Sequence, residues 1–257
     1  MSIHYYSEGT GEAILFLHSL GTSGEVWEEQ FRQFKQDYQV IALDFNGHGQ
    51  SGASLPFTIE EAARDALRVL DQVGVAKAHI VGISMGGHVA MEMVKQAPER
   101  IHSMVLADTW AYMEPAIREE RTKLRMGRLR EIGMEEFSGE LAKNSLAACA
   151  TTVQVNRLDS IIQCTAETYE SAWGAVHGVD SREILPTIQV PVTVLVGDED
   201  KSTPLPYAQE IAGAIPGSVL EVVPNGGHLS HITNPEFFNT QIMQTIKGGK
   251  ADAVNLG

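Results

Sequence analysis

Basic residues are scarce in this chain: 19 Lys and Arg stand against 33 Asp and Glu in 257 residues, a formal charge of −14. A protein whose main task is to hold nucleic acid or an anionic membrane needs basic surface, so both partner classes are excluded as its primary business. An anionic small substrate is still allowed, because its recognition depends on local charge. Long apolar runs are also missing. No stretch reaches the ~18 residues of a membrane span, and the start, MSIHYYSEGTG, lacks the basic and apolar regions of a secretory signal. The only two cysteines, Cys149 and Cys164, have no metal-like spacing to each other or to a histidine. A chain of this size needs no disulfide staple. GTSG at 21–24 lacks the lysine of a phosphate-binding loop. These absences point to a cytoplasmic, enzyme-sized chain for which neither a metal nor an organic cofactor is expected.

What is present is an alternation. AILFLH (13–18), VIALDF (40–45), HIVGI (79–83) and MVLA (104–107) are strand candidates too apolar for a sheet with one wet face. Helical spacing fills the gaps. Trp27, Phe31 and Phe34 fall on one face behind Thr22 or Ser23. Over 59–72, Ala62, Ala66, Leu67 and Leu70 follow a helical period behind Thr58 as cap. Residues 89–95 carry the next helix, and Pro98 stops it. Strand and helix alternating with such short gaps predict parallel βαβ units covered by helices on both faces.

After Asp108 the pattern breaks. From Met113 to Leu185 only helix-like stretches occur, over 115–132, 134–146 and 158–176. PVTVLV (191–196) then restores a buried strand, followed by a helix over 205–215, a last strand LEVV (220–223) and a closing helix over 235–246. The tail GGKADAVNLG has no period and is expected to fray. The map is an α/β core assembled from 1–110 and 186–257, with a helical insertion over 111–185.

Gly82-Ile83-Ser84-Met85-Gly86 is a G-x-S-x-G motif between a strand and a helical segment. A sharp strand-to-helix turn there lifts the Ser84 hydroxyl clear of the sheet, and glycines flank it because the turn is crowded. By itself, a glycine-rich turn can hold a serine by chance. A nucleophilic serine also needs a base, and the base needs a carboxylate to orient it. His228, in NGGHLS after the last strand, and Asp200, after VTVLVG, fall on the same carboxyl edge of the sheet as Ser84. That shared edge makes coincidence a poor explanation. Asp108, Asp198 and Glu199 are rival acids. Asp200 is preferred because its loop runs on through Ser202-Thr203-Pro204 and leaves Asp198 close to the strand. His231, three residues beyond His228, reads as a surface or helix-capping histidine. Catalysis also needs two donors for a developing oxyanion. The backbone N–H of Met85 and that of Leu20, in the loop after the first buried strand, are the candidates, with His18 bracing that loop. His4, His48, His79, His88, His102 and His177 read as structural.

Taken together, HSLGTS, DFNGHGQSG (44–52), GISMGG, GDEDKSTP (197–204) and NGGHLS resemble the α/β-hydrolase superfamily along nearly the whole chain. The resemblance implies Ser84 as nucleophile, Asp200 as acid, His228 as base, Leu20 and Met85 as oxyanion donors, and 111–185 as a cap over the site. Within the superfamily, Ser19 in HSLGT and the segment AETYESAW (166–173) are similar to 3-oxoadipate enol-lactonases, although His18 stands where those enzymes often have asparagine. The implied reaction is cofactor-free hydrolysis of a small-molecule ester or lactone. C–C bond hydrolysis, perhydrolysis and a ligand receptor that kept the triad are the competing readings.

One feature speaks to the substrate. Arg118, Arg121, Lys123, Arg125, Arg128 and Arg130 crowd six basic residues into thirteen positions of an acidic protein. An arginine fork recognises a carboxylate, so Arg121, Arg125 and Arg128 are candidate substrate contacts, with Trp173 beside them and Arg157 and Arg182 further off. The competing explanation is a solvated helix whose arginines pair with Glu119, Glu120 and Glu131.

Overall fold

A computed structural model describes residues 3–254. Its sheet has seven strands among the described residues: β1 (Tyr5–Glu8), β2 (Ala13–Leu17), β3 (Gln39–Leu43), β4 (Ala78–Ile83), β5 (Ile101–Ala107), β6 (Val192–Gly197) and β7 (Val219–Val223). They lie side by side in the order β1-β3-β2-β4-β5-β6-β7. Every pair is parallel except β1–β3, which is antiparallel. The helices are α1 (Glu28–Phe34), α2 (Ile59–Gln72), α3 (Met85–Gln96), α4 (Pro115–Ser145), α5 (Thr152–Ile161), α6 (Ala166–Gly178), α7 (Leu205–Ala214), α8 (Ser230–Thr233) and α9 (Pro235–Val254).

The continuous apolar strands are explained by burial on both sides. Leu15, Leu17, Ile41, Leu43, Ile80 and Leu106 point to one face, which α2, α3 and α7 cover. Ile14, Phe16, Val40, Ala42, Val81 and Val105 point to the other, under α1 and α9. Phe16 meets Trp27, Phe31 and Phe34 at centroid distances of 5.0, 6.2 and 6.4 Å, which is the aromatic face the spacing predicts. Thr58 caps α2 by accepting the Glu61 N–H. Thr58→Ala should therefore lower unfolding stability by about 1 kcal/mol, measured by urea titration.

Four departures from the sequence reading have local causes. β1 was not anticipated: it is a half-exposed edge strand without an apolar run. The helix expected over 158–176 is two, α5 and α6. Between them Gln163 donates its N–H to the Gly21 carbonyl and accepts from the Gly49 N–H, and Cys164 bridges His48, so long-range pairing overrides the helical period. The restart is marked by Thr165, whose side chain caps α6 by accepting the Thr168 N–H. His231 is fully buried against Trp27 at 4.3 Å rather than on the surface. Finally, α9 continues past the expected end to Val254, while 255–257 of the expected frayed tail lie outside the described residues. The division of the first insertion helix is as expected: α4 is interrupted at Gly133 (φ 77°, ψ 167°). No helix among the described residues is long and apolar enough to cross a membrane.

Candidate active site

β4 runs directly into Ser84, whose φ of 54° and ψ of −116° put a non-glycine residue in strained backbone at the first step into α3. The turn is pinned on both sides: the Ser84 N–H donates to the Ala107 carbonyl (2.9 Å), and Thr109 Oγ1 donates to the Ser84 carbonyl (2.9 Å). The flanking glycines are steric necessities. A Cβ on Gly82 would lie 2.3 Å from the Gly86 carbonyl oxygen, and one on Gly86 would lie 2.1 Å from the Leu17 oxygen. The second contact seats the first turn of α3 on the end of β2. It thereby sets Met85 beside the loop that begins at His18. His18 braces that loop: its Nε2 accepts the Phe45 N–H (2.9 Å), leaving Nδ1–H to donate to the Ser19 carbonyl (2.8 Å).

β7 leads into a turn with Asn225 at φ 55°, tied down by the Gly226 N–H donating to Asp198 Oδ1 (3.0 Å). That turn delivers His228, whose Nε2 lies 2.9 Å from Ser84 Oγ and whose Nδ1 lies 3.0 Å from Asp200 Oδ2. Asp200 is held by the N–H groups of Ser202 (2.7 Å) and Thr203 (2.9 Å) on Oδ1 and by Thr203 Oγ1 (2.6 Å) on Oδ2. A carboxylate opposite Nδ1 fixes the imidazole proton there, so Nε2 presents its lone pair to the serine hydroxyl. Burial disfavours charge on both partners, but their mutual attraction outweighs it. Asp200 sits below the usual carboxylate range, and His228 above the usual imidazole value.

The rivals have other work. Asp108, fully buried at φ 46°, accepts from the Gly197 N–H (2.8 Å), the Ser230 N–H (3.1 Å) and Ser230 Oγ (2.7 Å). It thus ties the loop leading to Asp200 to the residues just after His228. Burial first, and then the neighbouring Asp200 charge, push its carboxyl upward. Glu199 accepts from the Ala148 N–H (2.8 Å). Burial pushes His48 and His88 down to about 3, so both are neutral.

A cavity of about 390 Å³ opens over Ser84 and His228, and its roof comes from α4, α5 and α6. Leu20, Arg121, Arg125, Arg128 and Trp173 all line it, yet the three arginines differ. Arg128 forms a fork on Glu140 and a second bond to Glu131. Arg121 donates to the Ser202 carbonyl at 2.7 Å, clasping the insertion to the loop of Asp200. Arg125 lies over Trp173 (5.3 Å) and Phe137 (5.8 Å) and makes no ion pair among the described residues. Arg118 and Arg130 turn to the His177 carbonyl and to Glu170. Arg157 pairs with Glu25 and Glu28, and Arg182 with Asp180, so neither belongs to this cavity. Sequence reasoning missed Lys201 and His177, which also line it. His177 stacks on Trp173 at 3.7 Å; its place one helical turn beyond Trp173 was the available signal. Four cationic side chains and one carboxylate, Glu140, therefore surround this space. Among the described residues no group of three or more His, Cys, Asp or Glu is arranged to hold a metal ion.

Fold and site together define a hydrolase-type scaffold, and the chain belongs to the α/β-hydrolase fold family, whose model matches residues 12–148. The chain is 28% identical over 254 residues to 3-oxoadipate enol-lactonase 2 of Acinetobacter baylyi, covering 96% of this chain and 94% of that one. A Caulobacter vibrioides protein, provisionally designated a carbamate hydrolase, is 26% identical over 274 residues, with 96% of each covered. The crystal structure of an enol-lactonase from Burkholderia xenovorans superposes with a TM-score of 0.86, at 25% identity over 95% of this chain and 96% of that one.

Proposed function

We propose that this protein is a serine hydrolase of small esters or lactones, with Ser84 as nucleophile, His228 as base and Asp200 as the orienting acid. The observation that carries this reading is the unbroken hydrogen-bond path from Ser84 Oγ through His228 to Asp200 beneath a cavity. His228 Nε2 takes the hydroxyl proton as Oγ attacks the carbonyl carbon. The oxyanion forms against the N–H of Met85, the first residue of α3 and so without a helical acceptor, and against that of Leu20. His228 then returns the proton to the leaving oxygen. In the second half it activates a water that cleaves the acyl-enzyme, releasing the acid and Ser84. The two pieces 1–110 and 186–257 act as the catalytic core, and 111–185 as its cap. An active-serine phosphonate followed by peptide mass spectrometry should label Ser84 alone; label on any other residue overturns the assignment.

The cavity is near the small end of the roughly 300–1,000 Å³ typical of ligand pockets, which suits a small substrate. Its charge narrows the class further: the substrate carries a carboxylate, as an enol-lactone of the 3-oxoadipate type does, and Arg125 is its receptor. Trp173 and Phe137 hold the guanidinium in place while leaving its edge for a ligand. A charge-assisted contact is worth around 1.5 to 3 kcal/mol, or about ten- to a hundredfold. A free-acid substrate should therefore show higher kcat/KM than its methyl ester. Arg125→Ala should abolish that preference through KM, whereas the double change Arg128→Ala with Glu140→Gln, which removes an arginine together with the carboxylate that neutralises it, should leave it. Equal kcat/KM for acid and methyl ester sinks the carboxylate reading without touching the triad. Product analysis with an ester, a carbamate and a β-diketone separates acyl-oxygen cleavage from the neighbouring chemistries.

The proposed path uses only side chains, backbone N–H groups and water. Dialysis against EDTA should therefore leave hydrolysis unchanged, and activity that returns only on adding zinc or manganese would show otherwise.

A further inference from the structure

The loop that carries Asp200 is fastened from two sides. Its first half is stitched to the turn of His228. The Asp198 N–H donates to the Val223 carbonyl (3.1 Å), the Glu199 N–H to the Gly226 carbonyl (2.8 Å), and Asp198 Oδ1 accepts from the Gly226 N–H. Its second half, 201–203, reaches instead to the insertion, where Arg121 Nη1 donates to the Ser202 carbonyl at 2.7 Å. That carbonyl and the Thr203 N–H belong to one peptide unit. The unit is planar and trans, so its C=O and N–H point in opposite directions and turn together. The Thr203 N–H donates to Asp200 Oδ1 at 2.9 Å. The Thr203 hydroxyl donates to Oδ2 at 2.6 Å, and Oδ2 is the oxygen that faces His228 Nδ1. A single peptide plane therefore stands between the guanidinium and the acid. A cation on its oxygen also polarises the N–H at the other end, which strengthens the bond to the carboxylate. The other arginines of this face of α4 have different partners: Arg128 is taken up by Glu140 and Glu131, and Arg125 rests on Trp173 and Phe137. Helix α4 runs from Pro115 to its interruption at Gly133, so Arg121 and Arg125, one turn apart, share one rigid rod.

We propose that Arg121 is a positioning residue, through which the insertion sets the Asp200 carboxylate against His228 by way of the Ser202–Thr203 peptide. The role rests on Asp200 being the acid of the triad. Without the guanidinium the peptide can turn, Oδ1 loses its aligned donor, and the carboxylate spends less time opposite Nδ1. The imidazole is then held less firmly in the tautomer and orientation that accept the serine proton. The chemical step slows whatever the charge of the substrate. The insertion thus acts on the base as well as roofing the cavity, and the segment that lines the substrate space is the one that steadies the triad.

The test is a double-mutant cycle in the full chain, assayed on a neutral methyl ester so that no charge on the substrate enters. Arg121→Ala, which preserves the helix propensity of α4, should lower kcat by about tenfold or more, with KM changed by less than about twofold. In the Asp200→Ala background the same substitution should change kcat by less than about twofold, because the group it acts on is gone. Circular dichroism verifies that each variant is folded. The His228 Nδ1–H proton resonates far downfield while it is bonded to a carboxylate, and in Arg121→Ala it should move upfield or broaden. That signal reads the contact without turnover, even if the doubly substituted chain fails to fold. An unchanged kcat, an unmoved Nδ1–H resonance, or an equal loss in the Asp200→Ala background each overturns the proposal. So does a loss confined to the KM of the free-acid substrate, which would make Arg121 a substrate contact. Full activity in Asp200→Ala alone would remove the acid, and this role with it, and is thereby told apart from a failure at Arg121.

Discussion

Replacing Ser84 with alanine should lower turnover of an activated ester by at least about a thousandfold while the protein stays folded. The size follows from what is removed. Ser84 Oγ is the atom 2.9 Å from His228 Nε2, and without it His228 can activate only a water that nothing holds in line. What survives is catalysis by the oxyanion donors and by binding. The folded state should gain rather than lose, because alanine has no hydroxyl to bury at a turn already pinned by Ala107 and Thr109. Circular dichroism and urea titration verify the fold; stopped-flow or steady-state assays read the loss. Near-native activity in the alanine variant removes Ser84 from the mechanism.

The second large effect separates two aspartates that look alike in sequence, both ending a strand at the same edge. Asp200→Asn should lower kcat by about a thousandfold or more, because an amide can turn its N–H toward Nδ1 and force the imidazole proton onto Nε2, where it blocks acceptance from Ser84. The pH profile adds an independent sign. His228 must be neutral to act as base, and its pKa is raised, so in the unmodified protein activity falls as pH drops through a point above the ordinary imidazole value. Burial alone would lower that point, and the Asp200 charge is what raises it. In Asp200→Asn the acid limb should therefore move to lower pH. Asp108→Asn keeps an acceptor for the Gly197 N–H and should cost mainly stability, as should Asp198→Asn. If Asp108→Asn proves the crippling change, the acid lies on the loop after β5.

Much of the fold was legible because its signals are local. A parallel strand covered on both faces must be apolar throughout, as AILFL is, and G-x-S-x-G between strand and helix fixes its own turn. Asp200, His228 and Ser84 could be placed on one edge because each follows a strand directly. β1 gave no such signal, since an edge strand needs no apolar run. The arginines show a different limit. Arg121, Arg125 and Arg128 share a helical face in the sequence, and only the chain reversal at Gly133 decides their partners by bringing Glu140, twelve residues on, against Arg128. The break at Gln163–Cys164 is equally non-local, because its partners are Gly21, His48 and Gly49. Lys201 was passed over as one charge in an acidic loop, and its position on the cavity depends on how that loop folds over Asp200.

The electropositive lining of the catalytic cavity has a consequence for the end of the reaction. On the proposed reading, hydrolysis of a carboxylate-bearing lactone would convert a monoanion into a dianion, which Arg125 and Lys201 would hold more firmly than the substrate. Cleavage of the acyl-enzyme and departure of the acid are then separate events with opposite electrostatic needs. Outside the cavity the −14 charge of the chain favours departure of an anion, but that field is damped beyond about 8 Å at physiological ionic strength. Raising salt weakens the hold inside and the repulsion outside together. Escape of the acid, rather than bond cleavage, is where ionic strength would leave its mark on the turnover number.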